Sequence, residues 1–294
     1  MANLKEVRVR IASIKSTRQI TSAMKMVSAS KLRKGQNAIL NLRPYEEQLR
    51  NLLNNINKGL RQDEKNVLCT AQKTVTDVLV IVMTANKGLC GTFNSNLIKK
   101  AVEHLREQKE KGYNIKLWLV GKKGEDFFKK SNYVIEECFH DLIETVSVDD
   151  SFDFARKVMQ QIENGTFQRV EVVYNKFVNA ARFELLVEQI LPMHLESSEE
   201  EDAEEDEKFG YILEPSKKEI LDELVPKVIQ TYIYRILLDS FTSEQGARMT
   251  AMHKATDNAT ELLKNLTITY NKVRQSSITN EIVEIVGGAE ALNS

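Results

Sequence analysis

FTSEQGARMTAMHKATDNATELLKNLTITYNKVRQSSITNEIVEIV, residues 241–286, contains no proline and no glycine after Gly246. Counted in alternating steps of three and four, positions 249, 252, 256, 259, 263, 266, 270, 273, 277 and 280 are Met, Met, Thr, Ala, Leu, Leu, Tyr, Val, Ser and Asn. That narrow stripe lies near the 3.5-residue period of a coiled coil and fades to polar at its far end. A helix of this length runs to roughly 65–70 Å, well beyond the ~30 Å of a small domain. It cannot be buried whole, so it needs a companion along its length and is expected to project from the body of the chain. The blander alternative is a long helix in a bundle.

The companion is found at the opposite end of the chain. Residues 3 to about 57 read as one long helix, with Leu4, Val7, Ile11 and Ile14 at 3–4 spacing. The stripe then shifts phase to Ile20, Met24 and Val27, and resumes at Leu32, Ile39 and Leu42. The short step from 14 to 20 predicts local overwinding of a coiled coil. Pro44 should bend this helix or end its first section. Small residues (Ser13, Ser16, Ala23, Ser28, Ala29, Ser30) allow a partner helix to come close. If both helices attach to one body, the first runs toward it and the last away from it, so they pair antiparallel.

Between them the periodicity changes. Residues 58–74 are polar and aperiodic, as in a linker, and Val78-Leu79-Val80-Ile81-Val82-Met83 is the continuous run of a strand covered on both faces. A turn, a helix (about 94–111), a strand (115–120), a helix (121–131), a strand (134–137) and a helix (152–164) follow. Strands at 170–177 and 183–191, joined by a short loop, should be antiparallel to each other. Strand–helix alternation predicts a parallel or mostly parallel sheet. Residues 217–240 are helical again, with Pro226 marking a kink or a helix start.

The predicted fold class is therefore α/β: a long antiparallel two-helix coiled coil from the two termini, plus a Rossmann-like α/β domain of about five strands. The boundaries are 1–58 for the N-terminal coiled-coil helix, 59–74 for a linker and 75–195 for the α/β domain. An acidic loop at 196–210 and the C-terminal coiled-coil helix at 211–294 complete the chain.

The 294 residues carry a net charge of only −1, which hides a strong asymmetry. Residues 1–43 hold ten basic side chains against the single acid Glu6, whereas residues 196–207 hold nine acids and no base. The basic arm calls for an acidic partner, and the acidic tract reads as a solvated loop. Three scattered cysteines (Cys69, Cys90, Cys138) fit free thiols in a reducing compartment. No apolar run approaches 18 residues, so no membrane span is expected. The Arg-rich, acid-poor N-terminus is like a transit peptide, but its helical pattern continues unbroken into the chain.

Two places invite a chemical reading. TANKGLCGTFN, residues 84–94, follows the first strand and precedes a helix, where α/β folds bind phosphates. It is neither GxGxxG nor GxxxxGK[ST], so a tight turn with Asn94 or Thr92 as N-cap is the better account. Cys90 has no histidine that the sequence places beside it, and the four histidines form no HxxxH or HExxH spacing, so neither a nucleophile nor a metal site is expected. The basic helix has no aromatic residue between positions 1 and 44 to stack on bases, which argues against nucleic acid.

Four separated motifs, in order, carry a family resemblance. ITNEIVEIVGGAEA (278–291) resembles the C-terminal signature of the gamma subunits of F-type ATP synthases, which Thr279, Glu281, Glu284, Gly288 and Ala289 match. TSEQGARMTAMHKATDN (242–258), ITSAMKMV (20–27) and KGLCG (87–91) are similar to the same family. The resemblance implies a non-catalytic central-stalk rotor without cofactor or metal. Its coiled coil would turn in a ring of alpha and beta subunits, and its α/β domain would rest with the epsilon subunit on the membrane c-ring. It implies a peripheral place on the cytoplasmic face of a bacterial plasma (inner) membrane. It also implies ring contacts for Met24, Lys25, Arg248, Arg274, Gln275, Thr279 and Glu281. The rival classes are a nucleotide-binding enzyme built on the 84–94 turn and a coiled-coil adaptor or nucleic-acid binder using the basic helix.

Overall fold

The computed structural model describes residues 4–57, 66–70, 72, 74–180, 182–193, 214 and 216–293. The acidic loop expected at 196–210 and the first part of the expected linker lie outside them. The chain divides into two compact units, residues 1–29 with 248–294, and residues 30–247.

The larger unit is built on a five-stranded sheet. Strands β1 (Asp77–Met83), β2 (Asn114–Val120), β3 (Val134–Phe139), β4 (Arg169–Asn179) and β5 (Arg182–Leu191) stand in the order β3-β2-β1-β4-β5. All pairings are parallel except β4 with β5, the one tight connection in the sequence. Helices α2 (Phe93–Glu110), α3 (Lys122–Phe128) and α4 (Val148–Glu163) connect the strands. The continuous run in β1 has its expected cause. Val78, Val80 and Val82 pack under Leu97, Ala101 and Leu105 of α2, while Leu79, Ile81 and Met83 pack on the other side with α4 and the long helices. Every residue from Val78 to Met83 is fully buried, each side chain contributing roughly 1.5–3 kcal/mol.

The helix expected to start near 152 begins at Val148. Ser147 caps it, its hydroxyl accepting from the Asp150 amide at 3.1 Å and donating to the Asp150 carboxylate at 2.6 Å. That Ser-x-x-Asp pattern is a helix-start signal readable in the sequence. Within the expected linker, Val67–Cys69 form a 3-10 turn whose Leu68 is buried and accepts the Met193 amide at 2.8 Å.

Helix α1 runs Leu4–Asn57 and helix α5 runs Lys217–Asn293, each uninterrupted. Pro44 therefore does not end α1, and Pro226 does not start α5, which begins nine residues earlier. A proline inside a helix costs about 3 kcal/mol. Around Pro226 the burial of Leu224, Val225, Val228 and Ile229 in the core offsets it. In the larger unit, Gly35 of α1 lies so close to Thr242 of α5 that an added Cβ would collide with the threonine hydroxyl. Glu46 meets Arg235 farther along. Eleven residues up α1 thus correspond to seven down α5, so the pair is antiparallel.

A candidate interaction surface on the helix pair

The smaller unit consists of the first part of α1 and the last part of α5. Arg8 Nη2 donates to the Tyr270 hydroxyl at 3.0 Å, and the Thr256 hydroxyl donates to the Thr21 hydroxyl at 2.9 Å. Thirteen residues up one helix match fourteen down the other, again an antiparallel register. The α5 stripe follows the sequence reading closely: Met252 and Ala259 are buried, and Met249, Thr256, Leu263, Leu266, Tyr270, Val273 and Ser277 are half-buried. Asn280 is exposed, so the seam ends at Ser277.

The α1 seam departs from expectation. Val7, Ile11, Ile14, Arg18, Thr21, Lys25 and Ser28 face inward in strict steps of four and three, with no phase shift. Ile20 and Val27, read as seam residues, are 57% and 58% exposed, whereas Thr21 and Ser28 are 9% and 2%. Apolarity misled because small hydroxyl residues carry the contact here. Their short side chains let the helices approach, and the Thr21 hydroxyl, accepting from Thr256, donates in turn to the Arg18 carbonyl at 3.1 Å, so it is satisfied.

What the seam does not use is displayed. Val9, Ile20 and Val27 are all more than half exposed. At about 100° per residue they fall within roughly 20° of one another on one face of α1. Beyond Ser277, α5 continues with Ile278, Ile282, Val283, Ile285 and Val286 at 45–72% exposure. No residue from 278 to 289 is even half-buried. An apolar helix of this kind, exposed on every side, is what a surrounding protein partner covers.

The threonines of α5 modify that surface. The hydroxyls of Thr260, Thr267, Thr269 and Thr279 each donate to the carbonyl four residues earlier, at 2.7–3.0 Å. With its donor turned back onto its own helix, each offers a partner a methyl rather than a hydrogen bond.

The residues singled out by resemblance fall in three settings. Met24 and Lys25 are half-buried, Lys25 on the α1 seam and Met24 beside it. Arg274, Gln275, Thr279 and Glu281 are exposed on α5, with Arg274 and Glu281 seven apart and so on one face. Arg248 is only 8% exposed and is not presented at the surface. Among these residues the structure brings together only helix neighbours. The exposed apolar positions on both helices escaped the sequence reading, which had assigned Ile20 and Val27 to the seam.

The turn at 84–94 is occupied by its own hydrogen bonds. The buried Thr84 hydroxyl accepts the Gly124 amide at 2.8 Å and donates toward the Val120 or Gly121 carbonyl at 3.1 Å. Asn86 donates to the His140 carbonyl at 2.8 Å and accepts the Lys122 amide at 3.0 Å. Asn94 accepts the Ala85 amide at 2.9 Å, while Thr92, at the N-cap position, makes no side-chain cap bond. These groups tie the ends of β1 and β2 together where a phosphate would have to enter. Cys90 is buried, and among the described residues no group of three or more His, Cys, Asp or Glu is placed to hold a metal. Among the described residues no helix is long and apolar enough to cross a membrane.

Comparison with known proteins agrees over the full chain. Residues 3–292 match the family model described as ATP synthase. The chain is 47% identical over 293 residues to the ATP synthase gamma chain of Christiangramia forsetii, covering 100% of both. It is 48% identical over 294 residues to that of Flavobacterium johnsoniae, again covering 100% of both. Among solved structures, a rotor chain of the Euglena gracilis mitochondrial ATP synthase shares the fold with a TM-score of 0.64 at 23% identity, over 94% of this chain and 98% of that one. A second Euglena gracilis structure, comprising OSCP, F1 and the c-ring, gives 0.67 at 22% identity over 98% and 94%.

Proposed function

The chain belongs to the ATP synthase family as a gamma chain, and from that premise we propose that it is the central-stalk rotor coupling proton flow through a membrane c-ring to ATP synthesis and hydrolysis. In this reading it does no covalent chemistry itself. The α1–α5 pair turns inside a ring of alpha and beta subunits, and the sheet unit is held with an epsilon subunit on the c-ring. The protein is peripheral, on the cytoplasmic face of a bacterial inner membrane.

The observation that carries this reading is the helix pair and its unpaired end. A seam of small and half-buried residues joins two unlike helices, which together have no threefold symmetry and so present a different face to each of three similar neighbours. Past Ser277 a single helix continues with exposed apolar side chains that fit a surrounding sleeve. The inward-turned threonine hydroxyls leave that sleeve few directional bonds to break as the shaft turns. Contact by shape and charge transmits torque without a lasting grip.

Met24, Lys25, Arg274, Gln275, Thr279 and Glu281 are assigned as ring contacts; Arg248 is left out because it is buried. The chain should co-purify with alpha and beta subunits, and removing the residues after 240 should abolish coupled synthesis. Met24→Lys should lower hydrolysis-driven rotation and proton pumping by adding a charge toward the ring. Pumping equal to wild type in that variant would remove Met24 from the contact set.

A further inference from the structure

Within the larger unit, both long helices are joined to the sheet by a cluster of charged and tyrosine side chains packed beside the apolar core. Arg235 of α5 pairs with Glu46 of α1, Nε to Oε1 at 2.8 Å, the two side chains only 16% and 17% exposed. Arg235 also reaches Asp239, one turn along α5, at 3.6 Å. Asp239, 3% exposed at its side chain, accepts a hydrogen bond from the Phe177 amide of β4. The Arg235 guanidinium lies over the Tyr232 ring, 4.8 Å from its centroid. The Tyr232 hydroxyl donates to Glu188 of β5 at 2.7 Å, and the Tyr174 hydroxyl of β4 donates to the same oxygen at 3.0 Å. Four elements, α1, α5, β4 and β5, are thus linked through one connected set of contacts.

Such a cluster is a poor way to gain stability, since well-packed apolar side chains of equal volume do as well or better. Burial is costly enough to raise the carboxyl pKa values of both Glu46 and Asp239, against the pull of Arg235. What the cluster supplies instead is direction. Apolar packing is non-directional, so a helix can roll or slide on the sheet with little change in buried area. Hydrogen bonds weaken steeply with angle and distance, so those from Tyr232, Tyr174 and the Phe177 amide resist small rotations, and Arg235 holds Glu46 and Asp239 beside them by ion pairing.

Resting on the rotor reading above, we propose that Glu46, Tyr232, Arg235, Asp239 and Glu188 form a torsional clamp, positioning residues that stop α1 and α5 rolling against the sheet so that torque passes between them without slip. The clamp matters most under load, when an opposing proton gradient resists rotation.

The test uses the assembled complex in sealed vesicles, comparing wild type with Glu46→Leu/Arg235→Met, which removes the ion pair between the helices and leaves Asp239 its hydrogen bond from the Phe177 amide. ATP hydrolysis, initial pumping rate, the final proton gradient and the melting temperature of the complex are measured together. Hydrolysis and initial pumping should stay within about twofold of wild type, while the final gradient falls about threefold or more. Arg235→Lys, keeping the charge, should recover part of the loss. A double variant that reaches the wild-type gradient overturns the clamp. So does one in which hydrolysis, pumping and melting temperature fall in proportion, because that is the mark of a merely structural role. If the wild-type complex lacks this chain or fails to pump, the rotor reading itself fails.

Discussion

Helix α5 is one element under two regimes. From Ile236 to Gly246 every residue is buried, polar ones included. From Thr260 to Ala289 none is, and only Leu263, Leu266, Tyr270, Val273 and Ser277 reach half burial. The first stretch is held by close packing on all sides and takes Asp239, Ser240, Thr242 and Ser243 into the interior. The second is held by a stripe one residue wide and keeps apolar side chains outside. Residue type and burial are therefore only loosely coupled in this molecule, and the neighbouring element decides.

The largest expected contrast is between isoleucines of the two stretches. Ile236→Ala should cost about 2–5 kcal/mol by leaving a cavity in the core. Ile282→Ala, at a position already 55% exposed, should change stability by less than about 0.5 kcal/mol. Urea denaturation of the purified chain measures both, and similar costs would break the distinction. The second contrast concerns pH. Burial lifts the Asp239 carboxyl from 3.8 to about 6, with Arg235 only partly opposing it. The unfolded chain therefore releases this proton first as pH rises. The stabilising contribution of Asp239 is complete below about pH 4 and is lost as pH climbs through about 6, a fall of about 2–3 kcal/mol. Denaturation at pH 4 and pH 7 should show that fall in wild type relative to Asp239→Asn. An identical pH dependence in the two proteins would refute it. The smallest contrast lies on the seam. Thr21→Ala should cost about 1 kcal/mol through its lost hydroxyl contacts, and Ile20→Ser less than about 0.5 kcal/mol. Thermal unfolding of the two variants reads the difference, and a costlier Ile20 would restore the apolar seam.

The α5 stripe was legible because its inward residues are mostly large and apolar, and its solvent side is largely polar. The sheet was legible for a similar reason, since β1 is apolar on both faces and helices cover both. The α1 seam was not, because Thr21 and Ser28 look like surface residues, and Ile20 and Val27 look like core. A strict heptad count from Val7 would have reached Thr21 and Ser28 whatever their polarity. The start of α4 was available in Ser147 and Asp150. The Glu46–Arg235–Asp239 cluster was not available, because buried ion pairs between distant segments leave no period in one chain. Of the residues named by resemblance, the burial of Arg248 and the seam position of Lys25 had no cue in the apolar pattern.

The register of the smaller unit has an evolutionary corollary. Arg8 faces Tyr270 and Thr21 faces Thr256, so a residue inserted into or deleted from one arm alone would displace every facing pair beyond it. Length can change only by whole heptads, removed or added opposite one another in both arms at once. Two segments separated by most of the coding sequence are thereby bound to a common ruler, and isolated indels in either should be purged.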